Sequence, residues 1–417
     1  MTEELAVERL TYGFDALARR GRHVVFLPYA APGDRVRAEI VEERAGYARG
    51  RVVEVLEPGA GRVLPGCRWF PTCGGCQWQH VAPAVQREAK AATVAEQLAR
   101  GAGVRGVAAP AIVPSPADWG YRSRITLVVE GRHAGYHRAR SHRLVEVAEC
   151  PIAAPELSAH LAPVREWIAS LRVPLARVTI AVAPGGVALA AAVTGRPGPP
   201  DVAATERLLV QFPTIRGAVL AGRPHRTVVG DPTVRVPAEA DLHLEVPADV
   251  FTQVNLAANP GLVRTVLDAG GFAPGERVVD LHCGAGNFAL PIARRGADVH
   301  GIERDPAAVD AARANAARLG LRATFEAASA ADGLGRLAPD SVDAVVLDPP
   351  RTGAADAIAA LAALRPRRIV YVSCDPATLA RDVRALRAVR YRVEAFRALD
   401  LFPQTFHVES VTNLLLT

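Results

Sequence analysis

From about residue 250 onward, the chain alternates short, continuously apolar runs with helical stretches. The four apolar runs span residues 277–281, 298–302, 343–347 and 368–373. A strand without polar alternation is buried on both faces, as in parallel sheets that helices cover. The pattern therefore predicts a parallel, doubly wound sheet of Rossmann-like type, which binds ligands at the carboxyl ends of its strands.

Two further units are expected ahead of this sheet. The first 58 residues consist of short alternating runs separated by Gly- and Pro-containing turns, which predicts a small closed barrel of the oligonucleotide-binding type. Residues 59–250 mix strand-like and helical stretches, which indicates a separate α+β domain. The doubly wound domain then occupies residues 251–417. A helix predicted at 83–100 is expected to pack across a domain border.

Composition excludes several broad classes of protein. Half of the 417 residues are hydrophobic, which is enough apolar material for real cores and excludes a disordered chain. No run of about 18 uninterrupted apolar residues occurs, and the acidic N-terminus does not resemble a signal peptide. We therefore expect a soluble, cytoplasmic protein with no membrane partner, acting as a monomer.

The excess positive charge lies in one segment of the chain. The formal net charge is +6, and residues 61–150 carry 12 basic against six acidic residues. Lys90 is the only lysine, so this basic character comes from arginine, the residue best suited to phosphate. The candidate phosphate contacts are Arg122, Arg124, Arg132, Arg138, Arg140 and Arg143. An ordinary solvated surface is the alternative interpretation.

A glycine-rich turn follows the first apolar strand of the C-terminal domain. The sequence Asp280-Leu-His-Cys-Gly-Ala-Gly-Asn287 leads from that strand into a helix, and the next strand ends in Glu303. Glycines let the backbone approach a ligand, and an acid at the second strand end suits a ribose diol. The turn lacks the full dinucleotide spacing, which favours S-adenosylmethionine over NAD. The rigid loop Asp348-Pro-Pro-Arg351 suits a flat base held beside a methyl donor.

Two residues near the end of the chain are candidates for catalysis. Cys374 ends a buried strand, and Asp375 and Pro376 then have the pattern of a helix N-cap and first turn. Glu409 lies in the strand-like stretch 406–411 and is a candidate general base. A buried, inert cysteine and an exposed strand acid are the corresponding structural alternatives.

The other cysteines form a cluster with ligand-like spacing. Cys67, Cys73 and Cys76 have the pattern C-x5-C-x2-C, and Cys150 follows downstream. Four thiolates suit either zinc or an iron–sulfur cluster, and spacing alone does not separate the two. This assignment leaves Cys283 and Cys374 as free thiols.

Six ordered motifs in the C-terminal half resemble the RNA 5-methyluridine methyltransferases, which use S-adenosylmethionine. The matching motifs are Phe251-Thr-Gln253-Val-Asn255, Asp280-Leu-His-Cys-Gly-Ala-Gly-Asn287, Gly301-Ile-Glu303, Asp348-Pro-Pro-Arg351, Ser373-Cys374-Asp375-Pro376 and His407-Val-Glu409. The resemblance extends over nearly the whole chain. It implies a class I methyltransferase domain, with the first 58 residues as the accessory RNA-binding TRAM barrel.

The resemblance also assigns roles to individual residues. Cys374 would be the nucleophile that adds to C6 of uracil, and Glu409 the base that removes the C5 proton. Two donor contacts depart from the family pattern: His282 stands where Tyr or Phe is common, and Ser329 where Asn or Asp is common. The full set of implied donor contacts is Gln253, His282, Asn287, Glu303, Ser329 and Asp348.

The cysteine segment resembles the iron–sulfur branch of the same family. The resemblance implies a [4Fe–4S] cluster held by Cys67, Cys73, Cys76 and Cys150. Ribosomal 23S RNA is the favoured substrate, and transfer RNA remains possible. A cytosine-C5 methyltransferase and a non-catalytic iron–sulfur RNA-binding protein are further alternatives. Trp69, Trp78 and Trp119 are candidates for base stacking or for core packing.

Overall fold

The computed structural model describes residues 2–106, 111–222 and 224–417. Its N-terminal part is a closed barrel with the strand order β1-β2-β3-β5-β4. The strands are β1 (Thr2–Leu10), β2 (Asp15–Arg20), β3 (His23–Pro28), β4 (Arg35–Glu43) and β5 (Tyr47–Glu57). Alternating apolar side chains such as Leu5, Val25 and Leu27 fill the interior. The predicted barrel is confirmed, and β2 is a strand that the sequence pattern did not single out.

The middle of the chain forms a seven-stranded mixed sheet with the order β12-β11-β10-β9-β6-β7-β8. Its strands are β6 (Arg124–Glu130), β7 (His133–His137), β8 (Leu144–Val145), β9 (Leu175–Ala183), β10 (Gly186–Val193), β11 (Ile215–Ala221) and β12 (Arg226–Gly230). The helices α2 (Pro155–Ala159), α3 (Leu161–Ser170) and α4 (Pro199–Gln211) belong to the same unit. Apolar side chains of α3 and α4 pack on this sheet in one core that contains Trp167 and Leu189.

A second seven-stranded sheet forms the C-terminal part, in the order β17-β16-β15-β18-β19-β21-β20. Its strands are β15 (Arg277–Leu281), β16 (Asp298–Glu303), β17 (Ala323–Ala327), β18 (Ala344–Leu347), β19 (Arg368–Ser373), β20 (Tyr391–Leu399) and β21 (Glu409–Leu416). The associated helices are α5 (Asn259–Gly270), α6 (Ala289–Ala293), α7 (Pro306–Leu319), α8 (Ala330–Gly335), α9 (Ile358–Leu364) and α10 (Pro376–Ala388). Two apolar cores contain side chains from alternate positions of the same strands, as expected for a sheet covered on both faces.

The direction of the last two strands corrects the prediction of a wholly parallel sheet. β21 runs antiparallel to both β19 and β20. The reason is the connection: β20 and β21 are joined by the loop 400–408, whereas a parallel pair needs a longer crossover. The predicted strand over 406–411 accordingly begins only at Glu409.

Two elements outside the C-terminal sheet pack against it. The hairpin of β13 (Thr233–Pro237) and β14 (His243–Pro247) is held to α7 by the Asn315 amide, which exchanges two hydrogen bonds with the backbone of Glu245. Helix α1 (Pro83–Ala102) packs against α10, and its Val94 and Leu98 belong to the core of that sheet. Within the described ranges, no helix has the length and apolarity needed to span a membrane.

Candidate active site

A deep cleft lies at the carboxyl ends of the central strands of the C-terminal sheet. Its empty volume is about 1670 Å³. The strand order reverses between β15 and β18, which is where doubly wound sheets bind ligands. Seven of the eight predicted catalytic and donor-contact residues line the cleft: Gln253, His282, Glu303, Ser329, Asp348, Cys374 and Glu409. The cleft therefore combines the donor motifs and the two catalytic candidates in one space.

The glycine-rich turn after β15 forms one wall of the cleft. Its backbone is left-handed at His282, with a φ of 59°, and the His282 N–H donates to the carbonyl oxygen of Ile302 at 2.8 Å. Gly286, with a φ of 96°, lies so close to Leu290 that a Cβ atom would approach that side chain to 2.9 Å. Buried Asp280 accepts a hydrogen bond from the Ala289 N–H at 2.8 Å, which anchors the start of α6. Hydrogen bonds to β16 and to the start of α6 thus fix the conformation of the turn beside the cleft.

The carboxylate of Glu303 lies at the end of β16, beside this turn. One of its oxygens accepts from the Gly284 N–H at 3.2 Å, and the other accepts from the Asp305 N–H at 2.9 Å. Two backbone donors therefore fix the orientation of the carboxylate at the edge of the cleft. This placement is suitable for accepting hydrogen bonds from a pair of vicinal hydroxyls.

Gln253 and Asp348 meet across the cleft. The Gln253 Nε2 donates to the Asp348 Oδ2 at 3.4 Å. Desolvation by burial raises the pKa of Asp348 to about 7. Asn287 lies in an adjoining cavity of about 430 Å³, which it shares with Gln253 and Asp348. The amides of Asn287 and Asn259 exchange hydrogen bonds at 2.8 and 3.1 Å, so the Asn287 side chain is held in one orientation.

His282 and Ser329, the two residues that depart from the family pattern, differ in their surroundings. The Ser329 hydroxyl accepts from the Asp332 N–H at 3.1 Å and so caps α8. It also donates to the Asp332 carboxylate at 2.7 Å. The His282 Nε2 is buried and has no hydrogen-bond partner in the part of the chain that is described. The His282 ring, which lines the cleft, thus has a polar atom without a hydrogen-bond partner among the described residues, whereas the Ser329 hydroxyl already makes two hydrogen bonds.

Cys374 and Glu409 are brought together by the antiparallel pairing of β19 and β21. Ser373 is opposite Ser410 in this register, so Cys374 leaves one strand where Glu409 begins the other. Glu409 is only 3% exposed, and its Oε1 has no partner among the described residues. Burial and the neighbouring Asp348 raise the pKa of Glu409 well above its usual value. Burial, together with Glu409 and Asp348, raises the pKa of Cys374 to about 12.

Residues that the sequence motifs did not single out for function lie beside the catalytic candidates. The Tyr12 hydroxyl, from the barrel, lies 3.3 Å from the Asp375 carboxylate and 3.4 Å from the Cys374 carbonyl oxygen. Arg351 Nη2 lies 3.1 Å from His407 Nε2. Arg351 and His407 stand inside recognised motifs, which was the available signal, whereas no sequence pattern points to Tyr12.

The four cysteines of the predicted cluster line a second cavity of about 490 Å³. Burial raises the pKa of Cys73 to about 11 and that of Cys76 to about 12. Within the described residues, no three Cys, His, Asp or Glu side chains converge closely enough to hold a single metal ion. Arg122 lines both this cavity and the cleft, so one side chain separates the two.

The candidate aromatic and basic contacts fall into buried and exposed groups. Trp78 is buried in the barrel core, Trp69 lines the cysteine cavity and Trp119 is partly exposed. Arg122 and Arg124 point inward, and Arg124 donates to the carbonyl oxygen of Val250 at 2.8 Å. The other four candidate phosphate contacts are exposed: Arg132, Arg138, Arg140 and Arg143.

Comparison with known proteins identifies the family to which this architecture belongs. Family models of the TRAM domain and of a methyltransferase domain match residues 2–53 and 273–389. The 23S rRNA (uracil(1939)-C(5))-methyltransferase RlmD of Thiobacillus denitrificans is 39% identical over 420 residues, covering 95% of each chain. Its counterpart from Alkalilimnicola ehrlichii is 37% identical over 432 residues, covering 98% of this chain and 95% of the relative. The chain belongs to the RNA (uracil-C5)-methyltransferase family.

A solved structure shares the whole architecture of this family member. The tRNA (uracil-54, C5)-methyltransferase of Pyrococcus abyssi, in complex with S-adenosyl-L-homocysteine, is 25% identical. It superposes with a TM-score of 0.74, and the alignment covers 100% of both chains. In the present methyltransferase, Gln253 and Glu409 lie outside the stretch 273–389 that the methyltransferase model matches. The fold brings these two residues back to the same cleft.

Proposed function

We propose that this protein transfers a methyl group from S-adenosylmethionine to C5 of a uridine in RNA, with 23S ribosomal RNA as the favoured substrate. The observation that carries the proposal is the placement of Cys374 and Glu409 together at the edge of the donor cleft. The named relatives at 37–39% identity support the ribosomal substrate. We assign the reaction to a monomer, because one chain supplies the residues that line the cleft. We also place the reaction in the cytoplasm.

The reaction follows from the weak nucleophilicity of C5 in uracil. The Cys374 thiol loses its proton to solvent, and the resulting thiolate forms a bond to C6, which moves electron density to C5 and O4. C5 then bonds to the methyl carbon of the sulfonium, and that carbon's bond to sulfur breaks. Glu409 takes the proton from C5, and the Cys374–C6 bond breaks to restore the ring and the thiolate. The raised pKa of buried Glu409 brings its basicity closer to that needed near neutral pH.

The remaining residues of the cleft would hold the donor. We assign the ribose hydroxyls to Glu303, because two backbone donors already orient its carboxylate toward the cleft. Gln253 and Asp348 are hydrogen-bonded to each other and line one cavity with Asn287 beside the glycine-rich turn. His282 and Ser329 line the same space and complete the proposed donor site.

We further propose that the second cavity holds a [4Fe–4S] cluster on Cys67, Cys73, Cys76 and Cys150. The four thiols line one cavity, and four thiolates are the ligand set of such a cluster. The cluster would link the segment 67–76 to Cys150 and takes no part in the methyl transfer.

The domain organisation proposed here consists of a barrel over residues 1–58, a cluster-bearing domain over 59–250 and a catalytic domain over 251–417. The barrel and the exposed arginines Arg132, Arg138, Arg140 and Arg143 would bind RNA phosphates. The target uridine must leave its surroundings to reach Cys374, because the cleft is deep and the base is otherwise stacked.

Mass spectrometry of nucleosides from RNA incubated with the protein and labelled donor tests the function directly. We expect labelled 5-methyluridine in 23S RNA, and no label with Cys374→Ala, which should still bind the donor. Label in transfer RNA would instead support the activity of the solved tRNA (uracil-54, C5)-methyltransferase that shares the fold. Labelled 5-methylcytidine, or RNA binding without transfer, would overturn the proposal.

Anaerobic reconstitution with iron and sulfide tests the cluster. We expect a broad absorbance near about 400 nm and roughly four irons per chain. Cys76→Ser should reduce both, whereas Cys283→Ser, which changes a cysteine outside the cavity, should reduce neither. Stoichiometric zinc with no visible absorbance would contradict the assignment.

A further inference from the structure

The loop 400–408 connects β20 to β21 and delivers Glu409 to the cleft. Its Phe402 lines the cleft directly, and Glu409 is the first residue after it. Gln404 in this loop has a left-handed backbone with a φ of 68°. Such a conformation is unusual for a residue other than glycine and persists only where its surroundings fix it. The position of Glu409 therefore depends on what holds this loop.

The buried side chain of Gln86, on α1, makes the central contact with the loop. It is 1% exposed, and its Oε1 accepts from the Gln404 N–H at 2.8 Å. Its Nε2 lies 2.8 Å from the Val81 carbonyl oxygen, 3.0 Å from that of Trp78 and 3.1 Å from Gln404 Oε1. One amide thus joins the loop to the segment that follows Cys76.

The same segment also binds the loop through its backbone. The N–H groups of Gln77 and Trp78 both donate to the carbonyl oxygen of Gln404, at 3.1 and 3.0 Å. Gln77 directly follows Cys76, which lines the cysteine cavity. Gln404 is therefore held through its N–H, its carbonyl oxygen and its side chain by residues 77–86, all outside the catalytic sheet.

Two further side chains fix the first half of the loop. Lys90 Nζ donates to Asp400 Oδ1 at 2.6 Å and to the Phe402 carbonyl oxygen at 2.9 Å. The buried Tyr121 hydroxyl donates to the carbonyl oxygen of Pro403 at 2.9 Å. These contacts come from α1 and from the stretch before β6, so residues 400–404 of the loop are held from outside the catalytic sheet.

We propose that Gln86 and Tyr121 are positioning residues that set the geometry of Glu409 by fixing the loop 400–408. This inference rests on the proposed role of Glu409 as the base. Neither residue lines the donor side of the cleft near Glu303, and neither contacts Cys374. Their loss should therefore slow removal of the C5 proton while leaving the attack of Cys374 and the methyl transfer unchanged. The contact through Gln77 further implies that changes at the cysteine cavity reach the base through Gln404.

Single-turnover kinetics with wild-type, Gln86→Met and Tyr121→Phe enzymes test the proposal. With ordinary RNA, we expect both variants to release the covalent protein–RNA adduct more slowly, by roughly ten-fold or more for Gln86→Met. With RNA that carries 5-fluorouridine, fluorine at C5 cannot leave as a proton does, so only adduct formation is observed. We expect that rate to stay within about two-fold of wild type in both variants.

Thr93→Val is the matched control on α1. The Thr93 hydroxyl donates to the carbonyl oxygen of Ala89 within its own helix, and Thr93 is buried like Gln86. The Thr93→Val substitution should lower the melting temperature without changing the ratio between the rate of adduct formation and the rate of adduct release. Tyr121→Phe removes one hydroxyl and keeps the ring, so it provides a folded variant if Gln86→Met does not fold.

Equal slowing of adduct formation and release in the two variants, or no change in either, would overturn the inference. Hydrogen exchange at residues 401–408 supplies a second measurement, because the loop should exchange faster in Gln86→Met than in Thr93→Val. Glu409→Gln separates this inference from the proposed function. If Glu409→Gln accumulates the adduct and Gln86→Met and Tyr121→Phe do not, only the inference about the positioning residues fails. If Glu409→Gln does not accumulate the adduct, the proposed role of Glu409 as the base fails as well.

Discussion

The hydroxyl of Ser410 donates to the carbonyl oxygen of Ser373 at 3.0 Å, directly beside the two catalytic candidates. This bond reinforces the register in which Ser373 is opposite Ser410. Cys374 and Glu409 are consequently neighbours through their backbones, although 35 residues separate them in the sequence. The antiparallel direction of β21 is essential, because a parallel strand would place its first residue at the opposite end of the sheet.

Replacement of the proposed base should trap the reaction after methyl transfer. Glu409→Gln keeps the shape of the side chain but removes its ability to accept the C5 proton. We expect a covalent protein–RNA species on a denaturing gel that retains the label of the donor methyl group. The double variant Cys374→Ala, Glu409→Gln should give no such species. A folded, donor-binding Glu409→Gln enzyme with normal turnover would contradict the assignment.

The thiol of Cys374 should react slowly with alkylating agents at neutral pH. Burial and two nearby carboxylates raise its pKa to about 12, so the thiol is protonated at pH 7. The rate of alkylation should rise by about ten-fold for each pH unit between 7 and 10, because the thiolate is the reactive form. Peptide mass spectrometry distinguishes this cysteine from the others.

The same measurement on Glu409→Gln tests the electrostatic origin of the raised Cys374 pKa. The Glu409 carboxylate is one of the charges that raise the pKa of Cys374, so its loss should lower that pKa and make alkylation faster than in wild type. Alkylation of wild-type Cys374 at the rate of an exposed thiol would contradict both expectations.

Glu303 should contribute strongly to donor affinity. Glu303→Gln replaces one acceptor oxygen by a donor and so weakens both the backbone contacts and the proposed ribose contacts. We expect the Kd for S-adenosylmethionine to rise by roughly ten- to a hundred-fold in calorimetric titration. Glu326→Gln on the neighbouring β17 is the control, since Glu326 pairs with Arg336 outside the cleft. Equal effects of the two substitutions would count against the ribose assignment.

Acid should destabilise the protein partly through His80. This residue is buried, its Nε2 lies 3.1 Å from the Ala30 carbonyl oxygen, and burial lowers its pKa from 6.5 to about 4. Between these values the unfolded state binds more protons, so stability is retained above pH 6.5 and falls as the pH drops toward 4. The expected contribution is about 3 kcal/mol of unfolding free energy.

Denaturant titrations at several pH values measure this contribution. His80→Gln retains a donor for Ala30 and does not titrate, so its unfolding free energy should fall less between pH 6.5 and 4 than that of wild type. His142→Gln, which changes an exposed histidine, is the control for the substitution itself. Identical slopes for wild type and His80→Gln would refute the prediction.

The elements with strong local patterns were predictable from the sequence. The strands β15 and β19 have the predicted bounds, because each is an apolar run ended by polar or turn-forming residues. The hairpin of β13 and β14 was not predicted. Its alternation is short and contains prolines at the strand ends, and its stability comes from contacts with α7.

The site residues that stand in a sequence motif were predictable. The contacts that bring them together were not, because they join residues far apart in the sequence. Cys374, Glu409 and the donor contacts stand in recognisable motifs. The antiparallel return of β21 pairs residues at least 37 positions apart, and the hydrogen bonds between Gln86 and Gln404 join residues 318 positions apart. Ser329 shows the opposite case, since its hydroxyl caps α8 through a purely local contact.

The single lysine of the chain has an experimental consequence. Lys90 is 0% exposed and is enclosed by Asp400, Phe402 and the ring of Trp78. Amine-directed cross-linkers and fluorescent esters should therefore leave this lysine side chain unmodified in the folded protein.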